Sequence, residues 1–255
     1  MTTSTGTLYL MPNGLDFGTC EAAADLASRL PLATLRIAAR LEHWVCENAK
    51  TTRAFLKRVD AVCPLALALQ QISIVELPRP PKGRAEPVAF DAGSLLAPAL
   101  TGHDVGLLSE AGLPAVADPG SLVVAAAHAA QLRVVALPGA SSITLAVAAS
   151  GLNGQSFAFL GYLPIDAGAR AARIRDLEAV SRRERQTQVT IETPYRNATL
   201  LAALVAQLQP TTMLSVSIGL TLASETTRSD PVARWRSLPI TMPADVPAVF
   251  SFLAR

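Results

Sequence analysis

Residues 105–142, VGLLSEAGLPAVADPGSLVVAAAHAAQLRVVALPGASS, decide how the chain folds. Val105–Leu108 is an apolar run of strand length that stops at Ser109-Glu110-Ala111-Gly112-Leu113-Pro114, where glycine and proline end any regular element. Asp118-Pro119-Gly120 then reads as a helix start, because aspartate caps free N–H groups and proline suits the first helical position. Residues 121–131 carry alanine and valine at helical spacing, and residues 133–137 form a second apolar run, cut by Pro138-Gly139. Ser141 and Ser142 open another small-residue helix that runs into Gly151. Strand, loop, helix, strand, loop, helix is the grammar of a parallel sheet. Ligands of such sheets sit outside the carboxyl ends of the strands, where small residues let them approach main-chain groups. Each loop alone is ordinary turn punctuation or a ligand loop; two on successive strands mark a candidate small-molecule site.

Outward from this stretch, 255 residues, half of them apolar, suffice for one large or two modest domains. Few aromatics and abundant Ala, Leu and Val suit an α/β architecture. A net charge of +2 demands no polyanionic partner, although the charges are unevenly spread. Cys20, Cys46 and Cys63 have neither disulfide-framework nor zinc-knuckle spacing, so reduced thiols and a cytoplasmic location are expected. No leader pattern opens the chain and no apolar run approaches the roughly 18 residues of a membrane span, so neither export nor a membrane partner is expected.

Toward the N-terminus, Thr7–Met11 is a strand that ends at Pro12-Asn13-Gly14, a third candidate loop. Residues 21–30 read as a peripheral helix or ordered loop, 33–41 as a helix and 42–46 as a strand. Polar groups gather after it at Glu47-Asn48-Ala49-Lys50-Thr51-Thr52-Arg53, where Thr51 or Thr52 caps a helix through Val59. Residues 71–77 read as a strand, 92–100 as a helix, and 79–84, RPPKGR, as an exposed basic loop.

Toward the C-terminus, strands are expected at 157–163, 189–192, 214–221 and 249–253, helices at 167–185 and 198–208, and a polar loop at 225–230. The first of these helices carries Arg170, Arg173, Arg175, Arg182, Arg183 and Arg185, either a solvated face or a phosphate-contacting surface. Pro138-Gly139 divides the chain into a domain of residues 1–138 and one of residues 139–255. His43, His103 and His128 sit apart in sequence, so no metal site is expected. With no dinucleotide, triphosphate, zinc-protease or hydrolase motif present, a bound organic cosubstrate has to supply the chemistry.

The segment Ser109–Gly120 looks like the pattern S-D-A-G-x-P-x-x-S-D-P-G, and Leu137-Pro138-Gly139-Ala140-Ser141-Ser142-Ile143 resembles L-P-G-P-x-x-x-I. Gly151-Leu152 is similar to S-G-L, Gly161-Tyr162-Leu163-Pro164 to G-F-L-P, residues 8–14 to L-Y-V-V-x-T-P-I-G, and residues 47–53 to E-D-T-R-T-T-R. Residues 192–196 resemble E-A-P-H-R, and Leu220-Thr221 with Glu225 the late L-T-x-x-x-E motif. These patterns belong to the tetrapyrrole methylases, the class III S-adenosylmethionine-dependent methyltransferases, and most resemble the branch that methylates a cytidine ribose 2′-hydroxyl of small-subunit ribosomal RNA.

The resemblance implies two α/β domains, a mostly parallel sheet in the first and a mixed sheet in the second, S-adenosylmethionine in the cleft between them, and a homodimer. It places cofactor contacts on Pro12, Ala111, Gly112, Leu113, Val116, Ser141, Ser142, Glu192, Thr193 and Leu220. Glu47 and Glu110 are candidates to take a proton from the acceptor, and Lys50 and Arg53 to hold substrate phosphate. Departures fall at Glu110 (Asp in the pattern), at Asn48-Ala49-Lys50 and at Tyr195 (His in the pattern). Methylation of a tetrapyrrole or other small molecule, and non-catalytic S-adenosylmethionine binding, stay open beside transfer to RNA.

Overall fold

The computed structural model describes residues 5–15, 26–78 and 90–255. The basic segment 79–84, Cys20 and residues 21–25 of the expected peripheral helix lie outside them. The chain forms two compact units, residues 1–140 and 141–255.

In the first unit, β1 (Thr7–Met11), β2 (His43–Cys46), β3 (Ser73–Glu76), β4 (Val105–Leu108) and β5 (Arg133–Ala136) form one sheet in the order β3-β2-β4-β1-β5. Every pairing is parallel. Strands buried on both faces read as continuous apolar runs, which is why Leu8-Tyr9-Leu10-Met11 and Val105-Gly106-Leu107-Leu108 lack polar alternation. Alternate residues part to opposite faces. Tyr9, Met11, Trp44, Cys46 and Leu108 pack with α1 (Leu32–Arg40) and α2 (Ala49–Asp60), while Leu8, Val45, Val105 and Leu107 pack with α3 (Ala97–Leu100) and α4 (Ser121–Ala129). Gly106 has no side chain because the Trp44 ring fills that space: a Cβ there would meet ring carbons at 2.7 and 2.8 Å.

Two local expectations change. The N-cap of α2 is Asn48, whose Oδ1 accepts the Lys50 N–H at 2.9 Å, and Glu76 Oε1 accepts the Ala49 N–H at 2.6 Å. Thr51 and Thr52 therefore lie inside the first turn, the Thr52 hydroxyl donating to the Asn48 carbonyl. Likewise α4 starts one residue after Gly120, which takes φ 128° that glycine alone accepts readily, and Asp118 caps nothing there.

In the second unit, β6 (Phe157–Tyr162), β7 (Thr187–Glu192), β8 (Met213–Ile218), β9 (Thr226–Pro231) and β10 (Ala248–Leu253) form a sheet in the order β6-β7-β10-β8-β9. Only β6 and β7 run parallel, so the sheet is mixed. One face is covered by α6 (Ala167–Glu184), α7 (Asn197–Gln207) and α8 (Val232–Ser237) through Ile174, Leu177, Leu204, Trp235 and their neighbours. The helix α5 (Ser142–Ser150) packs against β8, β9 and β10. The expected polar loop at 225–230 is the edge strand β9, which needs apolar residues on neither side of its outer rim.

Candidate functional site

The carboxyl ends of β1 and β4 are tied together. Asn13 N–H donates to the Gly112 carbonyl at 2.8 Å, and Gly112 N–H donates to the Asn13 carbonyl at 3.2 Å. The Asn13 side chain, 7% exposed, donates through Nδ2 to the carbonyls of Ser109 (3.2 Å) and Glu110 (3.0 Å) and accepts the Gly14 N–H at 2.8 Å. Gly112 sits at φ 67°, and Ala115 and Ala117 follow at φ 65° and 67°. Left-handed alanines cost of order 1 kcal/mol each, and such backbone collects where a loop has a task other than stability. At Pro12, the neighbour is Gly139, where a Cβ would lie 2.3 Å from the proline Cβ. Loops after β1, β4 and β5 thus meet at one rim.

A wall of carboxylates flanks that rim. Glu47, just past β2, accepts the Glu110 N–H at 3.2 Å, and Glu110 Oε1 accepts the Thr51 hydroxyl at 2.6 Å. Asp118 lies close enough to both to feel them: burial, then the negative charges of Glu47 and Glu110, push its carboxyl up to about 7. Sequence reasoning took Asp118 for a helix cap; the signal for a site role was its place in the same loop as Glu110. Lys50 and Arg53 are exposed on the first turns of α2, three residues apart and so on one helix face. Ala111 and Leu113 are half-buried, Gly112 is buried, and Val116 is 44% exposed.

In the second unit, Ser141 is the buried N-cap residue of α5 and Ser142 its first residue. Glu192 ends β7, buried; its Oε1 accepts the Thr193 N–H at 2.8 Å and its Oε2 pairs with Arg196 at 3.0 Å. Leu220 follows β8 in a turn that begins at Gly219, φ 62°, and passes Thr221, φ 71°, whose N–H donates to Glu225 Oε2 at 2.7 Å. Ala248 of β10 is in register with both Glu192 and Ile218, so the Glu192-Thr193 and Leu220 turns leave the same edge of this sheet. The arginines of α6 divide: Arg170 is buried and donates to the Ile165 carbonyl at 2.9 Å, Arg175 donates to Gln207 at 2.6 Å, and Arg173, Arg182 and Arg183 are exposed. No described helix is long and apolar enough to cross a membrane.

A parallel α/β unit with a tied rim at its strand ends and a second unit built on a mixed sheet define a two-unit α/β protein. The family model for tetrapyrrole (corrin/porphyrin) methylases matches residues 28–234, and the chain belongs to that family. It is similar to Ribosomal RNA small subunit methyltransferase I of Streptococcus pyogenes serotype M3, 33% identical over 203 residues, 80% of this chain and 61% of that protein. The protein of the same name from Mesorhizobium japonicum is 41% identical over 121 residues, 47% of this chain and 40% of that protein. The chain thus spans less than two thirds of these curated relatives. Among solved structures, uroporphyrin-III-C-methyltransferase from Thermus thermophilus shares the fold at a TM-score of 0.52 and 20% identity, over 97% of this chain and 94% of that one. A conserved hypothetical protein from Aeropyrum pernix K1 shares it at a TM-score of 0.58 and 18% identity, over 98% and 85% of the two chains.

Proposed function

We propose that the chain is an S-adenosylmethionine-dependent methyltransferase acting on small-subunit ribosomal RNA, at a ribose 2′-hydroxyl. One observation carries this reading: 80% of the chain aligns at 33% identity with a protein named for that ribosomal RNA. A cytoplasmic homodimer belongs to the same proposal.

The residues of the first unit fit such a cofactor. Its cation finds Glu47, Glu110 and Asp118 grouped at one rim, and Ser109 Oγ is buried there without a hydrogen-bond partner. Gly112 takes φ 67°, a conformation a side chain would strain, in the middle of the same rim. When bound, S-adenosylmethionine supplies an electrophilic methyl group on a sulfonium. Pro12, Ala111, Gly112, Leu113 and Val116 would hold it at this rim.

The chain's own task is to place the acceptor hydroxyl and take its proton. Asp118, pushed up to about 7 by burial and then by the negative charges of Glu47 and Glu110, is matched to accept a proton near neutrality. The Thr51 hydroxyl orients Glu110. Lys50 and Arg53 face solvent and would pair with RNA phosphates, as would the exposed arginines of α6.

The test is transfer of a labelled methyl group from S-adenosylmethionine to small-subunit ribosomal RNA, free or assembled with its proteins, across a salt series. Label in a ribose 2′-O-methyl nucleotide, falling steeply with salt, is the expected result. Label in neither RNA, or salt-independent transfer to a tetrapyrrole instead, overturns the RNA assignment.

A further inference from the structure

At the opposite edge of the parallel sheet, where the strands begin, the register assembles a second cluster. His43 is the first residue of β2 and is in register with Val105, the first residue of β4. His103 lies two residues before Val105, so the strand pairing brings together two histidines that are 60 residues apart in sequence. Their rings meet edge to face with centroids 5.2 Å apart. Glu42 precedes His43, and its carbonyl is held by the Ser73 N–H at 2.9 Å. One ligand atom from each of Glu42, His43 and His103 lies within 4.8 Å of the other two.

We infer that Glu42, His43 and His103 form a binding site for a divalent first-row transition-metal cation, Zn2+ being the best matched. Two imidazoles and a carboxylate suit zinc, whereas magnesium and calcium prefer oxygen ligands alone. Three protein ligands leave a fourth position for water. With metal–ligand bonds of about 2.0 to 2.1 Å, tetrahedral ligand atoms lie roughly 3.3 Å apart. The cluster has to close by about 1.5 Å from its present span, which side-chain rotation supplies because Glu42 and His103 are exposed and only His43 is half-buried.

The backbone beneath the cluster is fixed. His103 N–H donates to the Pro98 carbonyl at 3.0 Å, and Gly6 approaches the His103 carbonyl so closely that a Cβ would lie 1.9 Å from its oxygen. The three residues open on a cavity of about 500 Å³ whose wall also includes Arg40, Asp104 and Arg133. Asp104 is committed elsewhere: Oδ1 accepts the Thr7 N–H at 2.9 Å and Oδ2 binds Arg40 at 2.6 Å, which offsets that guanidinium. Arg133, on the same wall, starts β5, its backbone three strand spacings, roughly 14 Å, from the start of β2. The site ties β2 to β4 at the end away from the rim and is independent of the methyltransferase reading.

The test is calorimetric titration of the metal-stripped full chain with zinc chloride. One Zn2+ per chain is expected, weakened at least 100-fold by His43→Ala or His103→Ala, at least tenfold by Glu42→Gln, and unchanged by His128→Ala. The exposed His103 side chain can be removed without disturbing the core, so His103→Ala remains folded and decides the matter if His43→Ala does not. Zinc should also raise the melting temperature of the unaltered chain and leave that of His103→Ala where it was. Absence of saturable binding, or His103→Ala binding as tightly as the unaltered chain, overturns the assignment.

Discussion

Asn13 and Gly112 exchange both of their main-chain hydrogen bonds, at 2.8 and 3.2 Å, where the parallel strands β1 and β4 end. Two loops that leave neighbouring strands are thereby made one surface, and the Asn13 side chain secures it through the Ser109 and Glu110 carbonyls. Asn13→Ala removes two donors and the acceptor of the Gly14 N–H, and should cost about 2 kcal/mol in urea unfolding. Asn13→Asp keeps the acceptor but adds charge beside Glu110, so it should be no better. An alanine variant as stable as the unaltered chain contradicts the tie.

Gly106→Ala tests the packing of the first sheet. Its Cβ would press on Trp44, whose ring is fixed by Nε1 donating to the Leu41 carbonyl at 3.2 Å, and on Leu41 at 3.1 Å. Overpacking of this kind costs about 1 to 3 kcal/mol, readable in denaturant unfolding with an unchanged slope.

Asp118→Asn should alter the pH dependence of stability. The carboxyl titrates at about 7 when folded and near its ordinary 3.8 when unfolded, so between these values the native state holds a proton that the unfolded state has released. Stability therefore falls as pH rises through that window, and the contribution is gone above about 7. Asparagine carries no such proton. The melting temperature of the variant relative to the unaltered chain should rise by roughly 4 °C between pH 5 and pH 8. A constant difference across that range would place Asp118 in an ordinary environment.

Glu178→Ala tests the second unit on its own. This buried carboxylate of α6 accepts the Gln209 N–H at 2.8 Å and the Thr212 hydroxyl, stitching the helix to the turn before β8. Its loss leaves the buried Thr212 hydroxyl and the part-buried Gln209 N–H without their acceptor, at a cost of about 2 kcal/mol by calorimetry.

The parallel half of the fold was legible because β1, β4 and β5 are apolar runs ended by Gly and Pro, a signal that depends on neighbours in sequence. What lay beyond such signals was decided by contacts. In β9, Thr226-Thr227-Arg228-Ser229-Asp230 carries no apolar alternation; it is a strand because β8 offers a ladder and because Arg228 lies 4.0 Å over the Trp235 ring of α8. At α2, Asn48 outcompetes the threonines as cap, with Glu76 arriving from β3 to satisfy a second N–H.

The same division holds for the candidate site. Glu47 and Glu110 were singled out from their motifs, and the structure joins them by a hydrogen bond. Asp118 escaped notice because Asp-Pro-Gly before a helix is indistinguishable from capping, and its raised carboxyl arises from burial first and then from the charges of Glu47, 71 positions away, and of Glu110. The pairing of His43 with His103 is a consequence of strand register, which spacing does not encode.

The claim on which the account rests is that the rim at Gly112 holds an adenosyl sulfonium largely through peptide groups. Equilibrium titration with S-adenosylmethionine of the unaltered chain and of Gly112→Val, whose branched side chain resists φ 67°, addresses it directly. One ligand per chain, bound at least tenfold more weakly by the variant, is the outcome the account requires. No saturable binding by the unaltered chain, or equal affinity in the two proteins, contradicts it.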